Sequence, residues 1–306
     1  FQNKIKNIKI IPIFNYIKKN FITKYLIFFI APFLLRNKLN KCEIIKCHQI
    51  SGGLLSVVCA FFKNKKLVVR AGWEPTQNRK KWDIGILKYL LLSLNSIISY
   101  KYSNKIITTS AELKKFICST YLINKNKVKV IPNGIDINTF KKLKFEKKIN
   151  KVINISRLEK QKNLFTLIDI CKLSNLSLDI IGSGSQLNEL KKYSREFKVN
   201  IRFFGQINNN KLPRLLSKYN FYLTSSRIEG SPKSVIEAMA SGLPIIGLTA
   251  DGLKPLVINS KTGYLFKDIK KTVKKIEYLK NNKTIIFKMG KLARRHIEGN
   301  YSLDKN

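Results

Sequence analysis

Five short β-branched runs in the second half of the chain limit what it can fold into: KVINIS (151–156), LSLDIIG (176–182), IRFFG (201–205), FYLTSS (221–226) and LPIIGL (243–248). Each ends in a small or polar corner, and helix-length segments at 164–173, 185–197, 209–219 and 232–241 lie between them. Parallel strands need a crossover of about a dozen residues or more, and strands covered on both faces read as continuous apolar runs. Strand–helix alternation of this kind predicts a parallel sheet with helices on both faces. The first half repeats the pattern more loosely, with EIIKCH (43–48), KLVVRA (66–71) and KIITTS (105–110) as strands and helical stretches at 51–62 and 79–100.

Two arrays imply two cores, which 306 residues at 44% hydrophobic can supply. Between them, KVKVIPNGIDINTF (127–140) carries the turn chemistry of Pro132 and Asn133-Gly134, and a Lys-rich linker follows at 141–151. The expected organisation is α/β with two doubly wound, Rossmann-like domains. Residues 1–140 form the first and 141–283 the second, and a C-terminal helix over 284–306 packs back on the first. Ligands of such sheets bind beyond the carboxyl ends of the strands, so the cleft between the domains is the expected site.

Charge adds a partner. The formal net charge is +41, from 59 Lys and Arg against 18 Asp and Glu. That excess suits nucleotide phosphates, an acidic lipid surface or nucleic acid. Lys, Asn and Ile are abundant along the whole chain, however, and such a bias alone explains much of it. Five scattered cysteines and two histidines give neither a zinc pattern nor a disulfide framework, so a reducing cytoplasm and no bound metal are expected. The longest apolar run, YLIFFIAPFLL (25–35), has eleven residues and contains Pro32. A membrane-spanning helix needs about 20, so the run reads as a core or interfacial helix. No signal peptide is visible and residue 1 is Phe, so the chain is expected to be a piece lacking its N-terminus.

The chemistry concentrates at SRIEGSPKSVIEAMASG (226–242). Ser231 suits an N-cap, Pro232 the first helical position and Gly242 the place just past the helix end. A helix over 232–241 turns Val235, Ile236 and Met239 to the core. Glu237 falls on the other face, and Glu229 lies in the loop before the helix. The free N–H groups of residues 230–234 make an anion site. Lys233, in the first turn, opposes the helix dipole by about 0.3–1 kcal/mol, which a bound phosphate would relieve. The simpler alternative is an i,i+4 pair of Lys233 with Glu237, worth about 0.3–0.5 kcal/mol. A second corner puts Arg157 at a strand's carboxyl end and Lys162 before a helix that Asn163 could cap, a guanidinium fork beside an ammonium that suits a diphosphate. A third offers Gly182 and Gly184 for close backbone approach to a ligand, with a tight turn as the simpler alternative for that pair taken alone. All three fall on one sheet edge.

In their order, IPNGID, ISRLEKQKNL, IIGSGSQLNEL, IRFFGQI, SSRIEGSPKSVIEAMASGLPII and KTGYLF resemble the retaining GT-B glycosyltransferases of the group 1 type, over about 131–266. EIIKCHQISGGLLSVVCAFFKNKKLVV is similar to the family's amino domain, more faintly. The resemblance implies that Arg157 and Lys162 hold the donor diphosphate and stabilise it as leaving group. It implies that Glu229 faces the donor sugar and that Glu237 accepts hydrogen bonds from the ribose. Gly230, Ser231, Lys233 and Ser234 would contact sugar and phosphate, and Gln206 would lie near the nucleobase. It implies retention of anomeric configuration, and no cofactor or metal beyond the sugar nucleotide itself.

The chain departs from the family in three places. Ser231 stands where an aromatic is frequent. DGLKP (251–255) replaces a pattern ending in an acid. In VVRAGWEP (68–75) the histidine frequent after that strand is missing, which leaves Arg70, Trp73 and Glu74 as cleft candidates with His48. His296 reads as a surface residue. The expected function is hexose transfer from a nucleoside-diphosphate sugar to a lipid-linked or polysaccharide acceptor in cell-envelope glycan synthesis. The expected place is the cytoplasm, with contact to an anionic inner-membrane face through the apolar 21–35 segment. The alternatives are a charge-driven membrane or nucleic-acid binder and an inactive remnant of a glycosyltransferase; no nucleic-acid module appears.

Overall fold

The computed structural model describes residues 30–77, 85–140 and 150–305. They divide into two units, one ending at Val130 and the other beginning at Ile131. In the first, β1 (Ile44–Cys47), β2 (Lys66–Ala71), β3 (Lys105–Thr108) and β4 (Val128–Val130) form a four-stranded sheet in that order, every neighbour parallel. The crossovers are α1 (Gly53–Phe62), α2 (Ile86–Tyr102) and α3 (Ala111–Thr120). Leu67, Val69, Ile106 and Ile117 anchor one buried cluster with Tyr100 and Tyr121.

The second unit holds β5 (Lys151–Ile155), α4 (Leu164–Leu173), β6 (Ser177–Ile181), α5 (Leu187–Glu196), β7 (Ile201–Phe203), α6 (Leu212–Leu216) and β8 (Tyr222–Thr224). It continues with α7 (Lys233–Ala240), β9 (Ile245–Leu248), β10 (Gly263–Phe266), α8 (Ile269–Lys280) and α9 (Lys283–Asn300). The sheet order is β10-β9-β8-β5-β6-β7, all parallel. Side chains alternate across it: Ile153, Tyr222 and Ile245 enter the cluster under α7 and α9, and Val152, Leu223 and Ile246 the one under α4 and α8. After β7 the chain returns to the far side of β5, so the order reverses between β5 and β8. That switch point is where such sheets take ligands.

Several expectations need correcting. The segment 131–140 belongs to the second unit, because Ile135 and Phe140 are buried in its core and Ile135 N donates to Tyr301 O at 2.8 Å. The C-terminal helix spends its apolar face inside that same unit. Ala293 and Ile297 join α7's cluster, and a Cβ on Gly290 would sit 2.3 Å from Gly242 O. His296 is half-buried, with Nε2 3.2 Å from Pro255 O. Of the helix expected over 79–100, residues 79–84 lie outside the described residues, and α2 runs to Tyr102. Of the run at 25–35, only 30–35 is described, with Phe33 and Leu34 exposed. Among the described residues no helix is long and apolar enough to cross a membrane.

Candidate functional site

Beyond the carboxyl ends of β5, β6, β7 and β8 lies a hollow of about 430 Å³. Its walls include Arg157, Lys162, Gly182, Ser183, Gln206, Pro232, Lys233 and Ser234. Six predicted site residues, from four loops, therefore meet at one opening.

Each is set there by local structure. Arg157 lies two residues past the end of β5 and is exposed. Lys162 ends a short turn, and Asn163 takes a left-handed φ of 53°. Asn163 takes the cap position of α4 as expected, but its side chain holds no backbone N–H: Oδ1 accepts from Thr166 Oγ1 instead. The loop after β8 holds this turn in place: Ser225 Oγ donates to the carbonyls of Lys162 and Asn163 at 3.1 and 2.8 Å, and Arg227 N donates to Gln161 O at 3.0 Å. Glu159 ties it to the next loop, accepting from Ser185 N at 3.1 Å and Ser185 Oγ at 2.8 Å. Those bonds lower the Glu159 pKa. Gln206 Nε2 donates to Ser183 Oγ at 2.7 Å across the hollow's rim.

The helix start differs by one residue from the expectation. Pro232, and not Ser231, is the cap: its carbonyl accepts from Val235 and Ile236, and no side chain caps α7. The first-turn N–H groups are thus left to whatever occupies the hollow. Ser231 contributes its carbonyl to Asn133 Nδ2 at 2.7 Å. Gly242 does end the helix, with φ +78°.

The two glutamates stand behind the wall. Glu229 Oε1 lies 2.6 Å from Lys162 Nζ, and both side chains are largely buried. Glu237 is 4% exposed, with Oε1 3.7 Å from Lys233 Nζ. Burial pushes the Glu237 carboxyl up to about 6, partly opposed by Lys233. Each acid therefore grips a lysine whose other side faces the hollow.

Gly182 lines the hollow, and both Gly182 and Gly184 also meet protein backbone on the side where a Cβ would stand. A Cβ on Gly182, at φ +135°, would lie 1.9 Å from Ser156 O, and one on Gly184 would lie 2.4 Å from Leu158 O. Protein backbone fills the space, so the glycines let the β5 and β6 loops touch. Three further residues shape the site and were not singled out from sequence. Asn133 pins Ser231. The buried Tyr222 hydroxyl accepts from Ile155 N at 3.0 Å, donates to Ile155 O at 2.9 Å and lies 3.2 Å from Ser234 Oγ. Gly252 N donates to Glu229 O at 3.1 Å, and its missing Cβ would fall 2.2 Å from Gly230 O. The quoted IPNG and DGLKP stretches held two of the three.

In the first unit, His48 follows β1 and Trp73 follows β2, both exposed, and Arg70 is half-buried within β2. Glu74 does not face solvent. It is 2% exposed, with Ser96 Oγ at 2.9 Å, Tyr100 Oη at 2.5 Å, Thr76 Oγ1 at 3.1 Å and Tyr121 Oη at 3.2 Å. Desolvation raises its pKa against the pull of those four hydroxyls. Among the described residues no group of three or more His, Cys, Asp and Glu could hold a metal.

Known proteins share the family and the fold. Residues 136–301 match the sequence model described as "Glycosyl transferases group 1", and residues 3–139 that of "Glycosyltransferase Family 4". The Escherichia coli UDP-Gal:alpha-D-GlcNAc-diphosphoundecaprenol alpha-1,3-galactosyltransferase is 25% identical over 291 residues, 88% of this chain and 74% of that protein. The Staphylococcus aureus capsular polysaccharide biosynthesis glycosyltransferase CapM is 25% identical over 280 residues, 85% of this chain and 73% of that one. Anabaena Alr3699/HepE, crystallised with UDP and glucose, superposes with a TM-score of 0.77 at 16% identity over 90% of this chain and 78% of its own. S. aureus TarM, as a mutant form with UDP among its ligands, gives 0.79 at 20% identity over 91% of this chain and 57% of its own. The fold shared with these structures is GT-B.

Proposed function

The chain belongs to the glycosyl transferases of group 1, and on that premise we propose that it transfers a hexose from a nucleoside-diphosphate sugar to a lipid-linked or polysaccharide acceptor. In this reading the transfer retains anomeric configuration and serves cell-envelope glycan synthesis, in the cytoplasm against the inner membrane face. The observation that carries it is the hollow at the β5/β8 switch point, where Arg157, Lys162, Lys233 and the uncapped start of α7 converge. The names of the E. coli and CapM relatives support the acceptor class, and the UDP seen in HepE and TarM makes uridine the first base to test.

Breaking a glycosyl–phosphate bond builds negative charge on the departing diphosphate and positive charge on the sugar ring. Arg157, Lys162 and the α7 amides answer the first, already in place before the reaction. Glu229 faces the second from the loop that leads into α7. Glu237 takes the ribose hydroxyls, Gly230, Ser231, Lys233 and Ser234 line the sugar–phosphate path, and Gln206 meets the base. His48, Arg70 and Trp73 are proposed on the acceptor side. No cofactor or metal is required in this scheme.

The test is release of nucleoside diphosphate from a panel of sugar nucleotides. Arg157→Ala and Glu229→Ala should each lower turnover by about 10²-fold or more with the fold retained, the melt unchanged in the first and lowered in the second, which strands the largely buried Lys162. Parent-like turnover in both variants would remove the assignment.

A further inference from the structure

The first half of α2 (Ile86–Tyr102) carries an exposed apolar stripe that no element described for the unit covers. Ile86, Leu87, Leu90, Leu91 and Leu94 are 57, 70, 55, 56 and 54% exposed. At about 100° per residue they share an arc of roughly 140°, with Lys88 on its flank. The buried residues of this helix, Ser96, Ser99 and Tyr100, all lie in its second half.

Packing shows where the stripe projects. Leu54 N donates to Asn95 Oδ1 at 3.1 Å, Asn95 Nδ2 donates to Ile50 O at 2.8 Å, and a Cβ on Gly53 would lie 2.0 Å from Ser99 Oγ. Residues 95–99 of α2 are therefore level with the start of α1, which follows the carboxyl end of β1. The nine residues before Asn95 overshoot that sheet edge by roughly 13 Å at 1.5 Å per residue. It is the edge at which His48 and Trp73 stand.

We infer that this stripe is a docking surface for an anionic lipid bilayer, seated with its five aliphatic side chains at the acyl boundary. Charge selects the occupant. A second copy would bring another +41 against the first. Nucleic acid would ask for exposed aromatics to stack on bases, and the stripe has none. An anionic leaflet offers apolar depth and negative head groups together. Among the described residues of this unit the acids are only Glu43, Glu74 and Glu112, and Glu74 is buried, so little opposes that attraction. Docked this way, the His48/Trp73 edge faces the bilayer, where a lipid-linked acceptor presents its sugar. This last step rests on the acceptor class proposed above; the docking itself does not.

The test uses the full chain and co-sedimentation with vesicles of phosphatidylcholine alone or mixed with phosphatidylglycerol. The parent should partition into the mixed vesicles at least about tenfold more than into the neutral ones. The triple variant Leu87→Ser, Leu90→Ser, Leu91→Ser should lose about tenfold of that partition, with an unchanged melt and unchanged donor hydrolysis without vesicles. A separate Leu90→Trp variant should gain a blue-shifted emission over the parent only with the mixed vesicles. Parent-like partition of the triple variant would overturn the docking surface. So would a parent dimer that the triple variant breaks with no vesicle binding by either. Failure of donor hydrolysis in the parent would instead strike the transferase reading and leave the vesicle result standing.

Discussion

Gly252 offers the sharpest check on how the site is built, because it never touches the hollow. It sits in the turn Asp251–Leu253 after β9, where its backbone presses on the loop carrying Glu229. A Cβ there would lie 2.2 Å from Gly230 O and 2.5 Å from Glu229 O, while real Cβ atoms essentially never come under 3.0 Å. Gly252→Ala must therefore push the two loops apart by at least about 0.8 Å. The 3.1 Å bond from Gly252 N to Glu229 O then stretches toward 3.9 Å, past the hydrogen-bonding range. In stability this costs about 0.5–1.5 kcal/mol for the bond, with no added torsional strain, since Gly252 is not among the positive-φ glycines.

The larger effect is on chemistry. Glu229 moves with its loop, and Lys162 follows through the 2.6 Å ion pair. A displacement of about 1 Å in a preorganised site can cost 10²-fold in rate. Turnover, read as nucleoside-diphosphate release, should thus fall about 100-fold while most of the stability remains. Gly205→Ala is the control. It has φ +65° and nothing within 4 Å of the added Cβ, so it strains the backbone without pressing on a neighbour. It should lower the melt more than the turnover. Near-parental turnover in Gly252→Ala, with an unchanged melt, would refute the proposed support of Glu229.

Glu237 gives a pH signature. Its folded carboxyl binds a proton more tightly than the ordinary 4.5, so stability present at low pH is lost as pH rises to about 6. The loss is about 2 kcal/mol, and urea melts should show that Glu237→Gln removes it. If the anion is the ribose acceptor, donor affinity should rise through the same interval, and a flat titration would argue against that role. In the first unit, Glu74→Ala strands four hydroxyls in the core and should cost about 3 kcal/mol or more. Glu74→Gln should recover much of it, and a denaturant melt within error of the parent for Glu74→Ala would contradict the network.

Periodicity and corner chemistry were enough to place β5, β6, β8 and β9, and α7 to within a residue at its start, because apolar runs flanked by Gly, Pro and Ser leave few alternatives. β4 escaped notice because VKV is three residues with a lysine in the middle. β10 escaped because GYLF opens on the one residue that weakens strands, although a Cβ on Gly263 would meet Ile245 O at 2.0 Å. Glu74 shows a different limit. After an apolar strand and beside Trp73 it reads as an exposed acid, and only Ser96, Tyr100 and Tyr121, distant in sequence, make its burial affordable. Gly182 and Gly184 announced a close approach, but a glycine cannot say whether a ligand or its own chain is the neighbour.

The same tertiary detail explains why so basic a chain keeps acids at this corner. With 59 Lys and Arg, unpartnered lysines around the hollow would repel one another and sample many rotamers. Glu229 and Glu237 each lie against one of them, Lys162 at 2.6 Å and Lys233 at 3.7 Å. The exposed Arg157 guanidinium, whose charge also acts on nearby Glu159, and the α7 amides face the same hollow. On the proposed function, a diphosphate in the hollow would compete with Glu229 for Lys162, and that carboxylate is the group proposed to face the sugar. On that proposal, selectivity at this site would follow from these few paired charges more than from the net charge of the chain.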